Sequence, residues 1–260
     1  MIDTHCHLDA PEFGGDAARV VAAARAVGVG QMVIPAVETG NFAAVRALCA
    51  QHPSCFPAYG IHPLYVARAQ ADDLAVLRDY LTRQRPVAVG EIGLDGFVGS
   101  PTLAEQESLF VAQLKLAREF DLPVLLHLRR AQDQVLKHLR RIRVRGGIAH
   151  AFNGSRQQAE EFIKLGFKLG FGGAMTYPRA LQIRQLAATL PLDSLVLETD
   201  APDIPPAFLT KGQPNQPAYL PRIAQILADL RGMPLDELLA AVERNSRQVL
   251  ALSNLRMLAQ

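Results

Sequence analysis

Six side chains of the kinds that ligate divalent cations stand out from apolar surroundings: His5, His7, Glu91, His127, His150 and Asp200. His5 and His7 are two residues apart in the run Ile2 to His7. On an extended strand that spacing aims both imidazoles at one point. Glu91 lies between Val87-Ala88-Val89-Gly90 and Ile92-Gly93-Leu94 and reads as the end of that strand. An ionised carboxylate in such company is costly unless it is paired or holds a metal. His127 follows Val124-Leu125-Leu126, His150 follows Gly147-Ile148-Ala149, and Asp200 follows Leu195-Val196-Leu197-Glu198-Thr199. A single histidine at a strand end is as often a hydrogen-bonded core residue as a ligand. Apolar segments that repeatedly close on such a residue make that reading improbable for the set.

Four imidazoles and two carboxylates suit a first-row divalent cation better than calcium, which takes oxygen ligands. Six protein ligands exceed the need of one catalytic ion with an open position. Two ions sharing Glu91 as a bridge fit better, and such pairs stand ~3.5–4 Å apart in hydrolases. The expected cofactors are therefore two divalent ions, with zinc, magnesium and manganese as candidates. The expected catalytic carboxylates are Glu91, as the bridge, and Asp200, as both ligand and acceptor of the proton of an attacking water. Arg129 shares a strand face with His127 and is suited to clamp a phosphate; its structural alternative is a salt bridge to Asp133. Glu198 and Asp95 are placed to orient ligand imidazoles. Cys6, between the two histidines, points away from them and reads as core.

These positions require elements to hold them. Eight short apolar or β-branched runs read as strands: Ile2 to His7, Gln31 to Val37, Phe56 to Ile61, Val87 to Leu94, Val124 to Leu128, Gly147 to Ala151, Phe167 to Gly172 and Leu195 to Thr199. Helical periodicity is read over Ala17 to Ala26, Thr102 to Phe120, Arg130 to Arg141, Ser155 to Leu165, Ala180 to Ala188, Tyr219 to Arg231 and Leu235 to Leu252. Alternating strands and helices without a break in composition predict a single domain over 1–260, an α/β fold of the (β/α)8 TIM-barrel type. An open doubly wound sheet is the alternative, but the first strand–helix turn lacks a Gly-x-Gly-x-x-Gly loop. In a barrel the ligands belong at the C-terminal strand ends. The basic stretch Lys137 to Arg145 then falls on the opposite face, as the cationic end of a helix rather than a phosphate site.

With 49% hydrophobic and 20% charged residues and a net charge of +2, the chain has the balance of a core-forming protein, and no run approaches a membrane span. Three cysteines without a Cys-x-x-Cys pair argue against a disulfide framework or a zinc knot. The opening residues show no signal-peptide pattern. A cytoplasmic protein with no membrane association and no obligate protein partner is expected.

Taken together, Ile2-Asp3-Thr4-His5-Cys6-His7-Leu8, Gly60-Ile61-His62-Pro63, Val89-Gly90-Glu91-Ile92-Gly93-Leu94-Asp95, Leu126-His127-Leu128-Arg129, His150-Ala151-Phe152-Asn153-Gly154-Ser155 and Glu198-Thr199-Asp200-Ala201-Pro202 resemble the TatD family of metal-dependent hydrolases, in order and across essentially the whole chain. The resemblance implies an amidohydrolase-type barrel with metal-dependent DNase activity, often a 3′→5′ exonuclease, and hence DNA as the substrate. It implies one metal held by His5, His7, Glu91 and Asp200, and another held by Glu91, His127 and His150. It also implies a phosphate contact for His62. Asn153 and Leu128 depart from the small residues common at their positions, which bears on substrate fit. The rival enzyme reading keeps the metals and changes the bond to an amide, lactone or ester, including that of an aminoacyl-tRNA. The non-enzyme reading is a binding module on a vestigial barrel; retention of all six ligands counts against it.

Overall fold

The computed structural model describes residues 1–250 and 252. Eight strands lie in one sheet in sequence order, each parallel to the next: β1 (Ile2–Asp3), β2 (Gln31–Pro35), β3 (Cys55–Tyr59), β4 (Ala88–Asp95), β5 (Val124–Arg129), β6 (Gly147–Ala149), β7 (Phe167–Phe171) and β8 (Leu195–Leu197). Helices follow the strands: α1 (Ala17–Ala26), α2 (Phe42–Gln51), α3 (Asp73–Gln84), α4 (Leu103–Glu119), α5 (Gln132–Arg141), α6 (Arg156–Lys164), α7 (Leu181–Thr189), α8 (Leu220–Arg231) and α9 (Leu235–Val249). This is the expected (β/α)8 barrel. Sequence periodicity left α2 and α3 undelimited. The strand expected over Ile2 to His7 is regular only to Asp3. The last helix was expected to run to Leu252; residue 251 lies outside the described residues.

The helices begin and end on local chemistry. Asp16 caps α1 by accepting the amide of Arg19. Thr102 and Glu105 form a reciprocal capping box at α4, as do Ser155 and Gln158 at α6.

Strand alternation divides the buried side chains into two layers. Met32, Ile34, Val124, Leu126, Leu195 and Leu197 join the large cluster between sheet and helices. Ile2, Val33, Ala58, Ala88, Leu125, Ile148 and Val196 form a second cluster inside the barrel, closed from below by Val249, Leu250 and Leu252. Burying each of the larger of these side chains stabilises the fold by about 1.5–3 kcal/mol. With that end filled, only the C-terminal mouth of the barrel is left for a site.

The ring closes between β8 and β1 just beyond both strands. Cys6 bridges Ala201 in parallel register. Thr4 N–H donates to Leu197 O at 3.1 Å, Asp200 N–H to His5 O at 2.8 Å, and His7 N–H to Ala201 O at 2.7 Å. The buried Asp3 carboxylate accepts from Thr199 N–H at 3.0 Å and Thr199 Oγ1–H at 2.6 Å. The seam is therefore made by the segments that carry His5, His7 and Asp200.

Candidate metal centre

The inward phase of the strands explains which polar residues reach the mouth. Leu125 faces the barrel interior, so His127 and Arg129 continue on that face; Val196 does the same for Glu198 and Asp200. β4 obeys this rule only because it is irregular. Val89 pairs with Val124 and Ile92 with Leu126, which places one extra residue in β4 between them. That bulge shifts the alternation, so Ile92 and Leu94 pack against the helices. Glu91 and Asp95 then fall on the inner face. Glu91 lies within β4 rather than at its end, where the sequence pattern put it.

All six expected ligands meet. The two oxygens of the buried Glu91 carboxylate face different partners. Oε2 is 3.1 Å from His5 Nε2 and 3.6 Å from His7 Nε2. Oε1 is 2.9 Å from His150 Nε2, 3.1 Å from His127 Nδ1 and 3.5 Å from His62 Nε2. Asp200 Oδ1 completes the first side, 3.6 Å from His5 Nε2 and 3.7 Å from His7 Nε2. Asp200 has a left-handed backbone (φ 59°), a conformation non-glycine residues rarely adopt. Asn215 Nδ2 donates to the preceding Thr199 O at 2.7 Å and braces that turn.

Backbone and carboxylate acceptors fix which imidazole nitrogens carry protons. His7 Nδ1 lies 3.2 Å from Pro35 O, which can only accept; the lone pair of Nε2 is thus presented to Glu91 and Asp200. His127 Nε2 lies 2.9 Å from Asp95 Oδ2 and its Nδ1 3.1 Å from Glu91 Oε1; the two carboxylates outweigh burial and raise the pKa of the imidazole. An ion bound at Nδ1 would take the place of that proton while Asp95 keeps the one on Nε2. This is the orienting role expected of Asp95. His62 is the reverse. Its Nδ1 accepts the Leu64 amide at 3.1 Å, so Nε2 carries the proton and points at the site as a donor, not a ligand. Glu198 is less engaged than expected. Its Oε1 accepts the Ala151 amide but stays 3.8 Å from His150 Nδ1. Gly170 makes room for it, since a Cβ there would collide with the Glu198 carboxylate.

Burial governs the protonation of these groups. It holds His5 down to about 3 and lifts Glu198 to about 8 and Asp3 to about 7. Asp200 is raised by the same cause. Burial also opposes the His150 cation, but Glu91 and Asp200 outweigh it and raise His150 to about 10. Burial disfavours the Glu91 anion as well, yet His150, His62 and His5 hold it well below the usual carboxylate range.

The donor set fits divalent cations. His5 Nε2 and His7 Nε2 face each other at 3.2 Å. The rings of His5 and His150 stack at 4.1 Å, and Nδ1 of each is buried without a hydrogen-bond partner. Among the described residues, ligand atoms lie within 4.8 Å of one another in three groups: His5, His7 and Asp200; His5, Glu91 and His150; and His62, Glu91 and His127, the last with a His62 Nε2 that carries a proton in this arrangement. Imidazole nitrogens and carboxylate oxygens converging at this spacing are the donor types that first-row divalent cations take.

A cavity of about 920 Å³ opens above these residues, with His62, Leu128, Arg129 and Asn153 in its wall. Arg129 does not pair with Asp133; its guanidinium lies over the Phe97 ring, 3.7 Å from the centroid. Cys6 is buried in the core as expected. The basic stretch lies at the far end of α5, where Arg140 pairs with Glu161 and Arg145 with Asp121. Sequence reasoning missed Asp3 and Asn215. Asp3, buried beside Ile2, carried a usable signal; Asn215 in Gln213-Pro214-Asn215-Gln216-Pro217 reads only as a turn residue.

Comparison with known proteins agrees with this geometry. A family model described as TatD related DNase matches residues 2–251. The chain is 46% identical over 249 residues to the metal-dependent hydrolase YjjV of Escherichia coli K12, covering 95% of this chain and 96% of that one. It is 33% identical over 260 residues to a protein of Rahnella sp. (strain Y9602) named 3′-5′ ssDNA/RNA exonuclease TatD, covering 97% and 99%. The crystal structure of YjjV from E. coli superposes with a TM-score of 0.92 at 44% identity, covering 96% of this chain and 97% of that one.

Proposed function

Because the chain belongs to the TatD-related DNase family and is a metal-dependent hydrolase of that family, we propose that it is a two-metal phosphodiesterase that removes nucleotides from the 3′ ends of single-stranded DNA. The observation that carries this reading is the division of Glu91, with Oε2 toward His5 and His7 and Oε1 toward His127 and His150. His5, His7, Glu91 and Asp200 would hold one ion, and Glu91, His127 and His150 the other.

When bound, the ions supply Lewis acidity toward the phosphate and lower the pKa of water at the site. The remaining work falls to the chain. Asp200, raised by burial, is a competent base for the proton that the attacking water loses as its oxygen bonds to phosphorus. His62 Nε2–H is a preset donor to a phosphate oxygen. Arg129 supplies a planar cation at the cavity wall for the same group. The bond from phosphorus to the 3′ oxygen of the shortened strand breaks, that oxygen takes up the proton held on Asp200, and a 5′ mononucleotide leaves. His62 and Arg129 favour a phosphodiester over the carboxylic ester or amide of the rival reading, because neither of those carries the anionic oxygen that these donors match.

We place the activity in the cytoplasm. The three cysteines are unpaired, which suits a reducing compartment, and no helix among the described residues is long and apolar enough to cross a membrane.

The test is an assay of metal-loaded protein on end-labelled single-stranded DNA, duplex DNA, RNA and a panel of carboxylic esters. Stepwise shortening of single-stranded DNA from its 3′ end is expected. Turnover of carboxylic esters with every polynucleotide left intact would overturn the reading.

A further inference from the structure

Five large apolar side chains are exposed among the described residues, and four of them lie on segments that follow strands, at the C-terminal end of the barrel, where Leu64 lines the cavity. Leu64 follows β3, Phe97 follows β4, and Tyr177 and Leu181 follow β7; only Val27, before β2, lies at the other end. Single exposed apolar residues are ordinary, but a gathering on one rim marks a contact surface.

Phe97 has the most developed surroundings of the four. The residue is 50% exposed. The guanidinium carbon of Arg129 lies 3.7 Å from its centroid and that of Arg130 lies 4.8 Å away. The loop beneath is fixed. Asp95 Oδ1 accepts the amides of Phe97 and Val98 at 2.8 and 3.3 Å, while its other oxygen holds His127. Gln106 of α4 in turn grips Asp95, receiving its amide at 2.7 Å and donating to its carbonyl at 3.0 Å. The aromatic ring is thus anchored one side chain away from a candidate metal ligand.

Charge around the cavity is uneven. Asp9 and Glu12 follow β1, Glu38 follows β2 and Asp203 follows β8. Strand order places these on the arc opposite β4 and β5. A polyanion is repelled from that arc and drawn across the Phe97, Arg129 and Arg130 side.

We propose that Phe97, with Arg129 and Arg130 beside it, is the platform on which a nucleobase next to the scissile phosphate stacks, so that the strand leaves the metal centre over the ends of β4 and β5. Ring and guanidinium planes are the surfaces on which bases of any sequence stack, and the cations match the phosphates on either side. This rests on the nuclease reading above.

The test is binding of a fluorescent phosphorothioate oligothymidine to the metal-loaded protein, beside an abasic strand of the same length and charge. Wild-type protein should bind the oligothymidine more tightly. Phe97→Ala should weaken that binding about 5- to 150-fold and weaken binding of the abasic strand by a clearly smaller factor, since Arg129 loses its ring support but keeps its charge, whereas Phe97→Tyr should keep the preference. Equal binding of the two strands by wild type, or a Phe97→Ala effect that is absent or the same on both, overturns the platform while the nuclease reading stands. Failure of wild type to bind or cleave any strand overturns both.

Discussion

Asp95 and His127 are joined at 2.9 Å between Oδ2 and Nε2, and that contact decides which nitrogen His127 offers to the centre. An aspartate oxygen only accepts, so the ring keeps its proton at Nε2 and Nδ1 is the nitrogen that can exchange its proton for an ion. Asp95→Asn places an amide that can donate in the same position and releases this constraint. We expect metal affinity on the His127 side to fall about 10- to 100-fold while the other ion is retained. Ion content measured against graded chelator would show this as a separation of two release steps. Release of both ions together would remove the role assigned to Asp95.

The division of Glu91 between two groups of imidazoles predicts stoichiometry. Elemental analysis of gently purified protein should approach two divalent ions per chain under saturating metal. Glu91→Gln, which keeps one carbonyl oxygen and loses the charge, should hold at most one. Wild-type protein that saturates at a single ion would exclude the bridge.

Asp200→Asn should abolish most turnover, since one substitution removes the base and strips the charge from a ligand. The loss should exceed the ~10²–10⁴-fold expected of a base alone. Near-normal turnover with metal content intact would take Asp200 out of the mechanism.

Arg129 and the basic end of α5 make opposite predictions. Arg129→Ala should raise KM for DNA and leave hydrolysis of a small uncharged ester nearly unchanged. Joint neutralisation of Arg140, Arg141, Arg143 and Arg145 should scarcely alter DNA turnover, because charges more than ~10 Å from the phosphate are largely screened at ordinary salt. Steady-state kinetics of the two variants on both substrates decides the matter. A folded, metal-loaded quadruple variant without DNA cleavage would move the active face to the other end of the barrel.

Metal binding should also release protons at mildly alkaline pH. Glu91 and Asp200 outweigh burial and raise His150 to about 10, so near neutrality its protonated form is favoured and an incoming ion must displace a proton. Affinity should therefore fall as pH falls, and should still be rising above neutrality. Calorimetry at about pH 8 in buffers of differing ionisation enthalpy should show on the order of one proton released at this position. An imidazole of ordinary basicity would release almost none there, which is the result that would count against the coupling.

The ligands were legible because each interrupts an apolar run, and the barrel because such runs alternate with helical periods. The first missing part was phase. Nothing in Val89-Gly90-Glu91-Ile92 states that β4 carries an extra residue against β5, yet that residue turns Glu91 and Asp95 inward. The second was reach. Asp3 with Thr199, Asn215 with the carbonyl of Thr199, and Gln106 with Asp95 are contacts between elements, to which local periodicity is blind. α3 escaped for a related reason: it mixes Asp73, Arg78, Asp79 and Arg83 among its apolar residues, and its buried Leu77 and Leu81 face other elements.

The seam between β8 and β1 also fixes an order of events. Thr199 meets Asp3 across 196 residues of chain, so a polypeptide made from its N-terminus carries His5 and His7 through most of its synthesis before Asp200 exists. Contacts of such separation come late and bear the full cost of loop closure. The centre is thus complete only in the closed ring, since its ligands come from both sides of the last seam. A nascent or truncated chain stopping short of β8 has the first histidines without the seam that aligns them, and cannot mature the site before the barrel is complete.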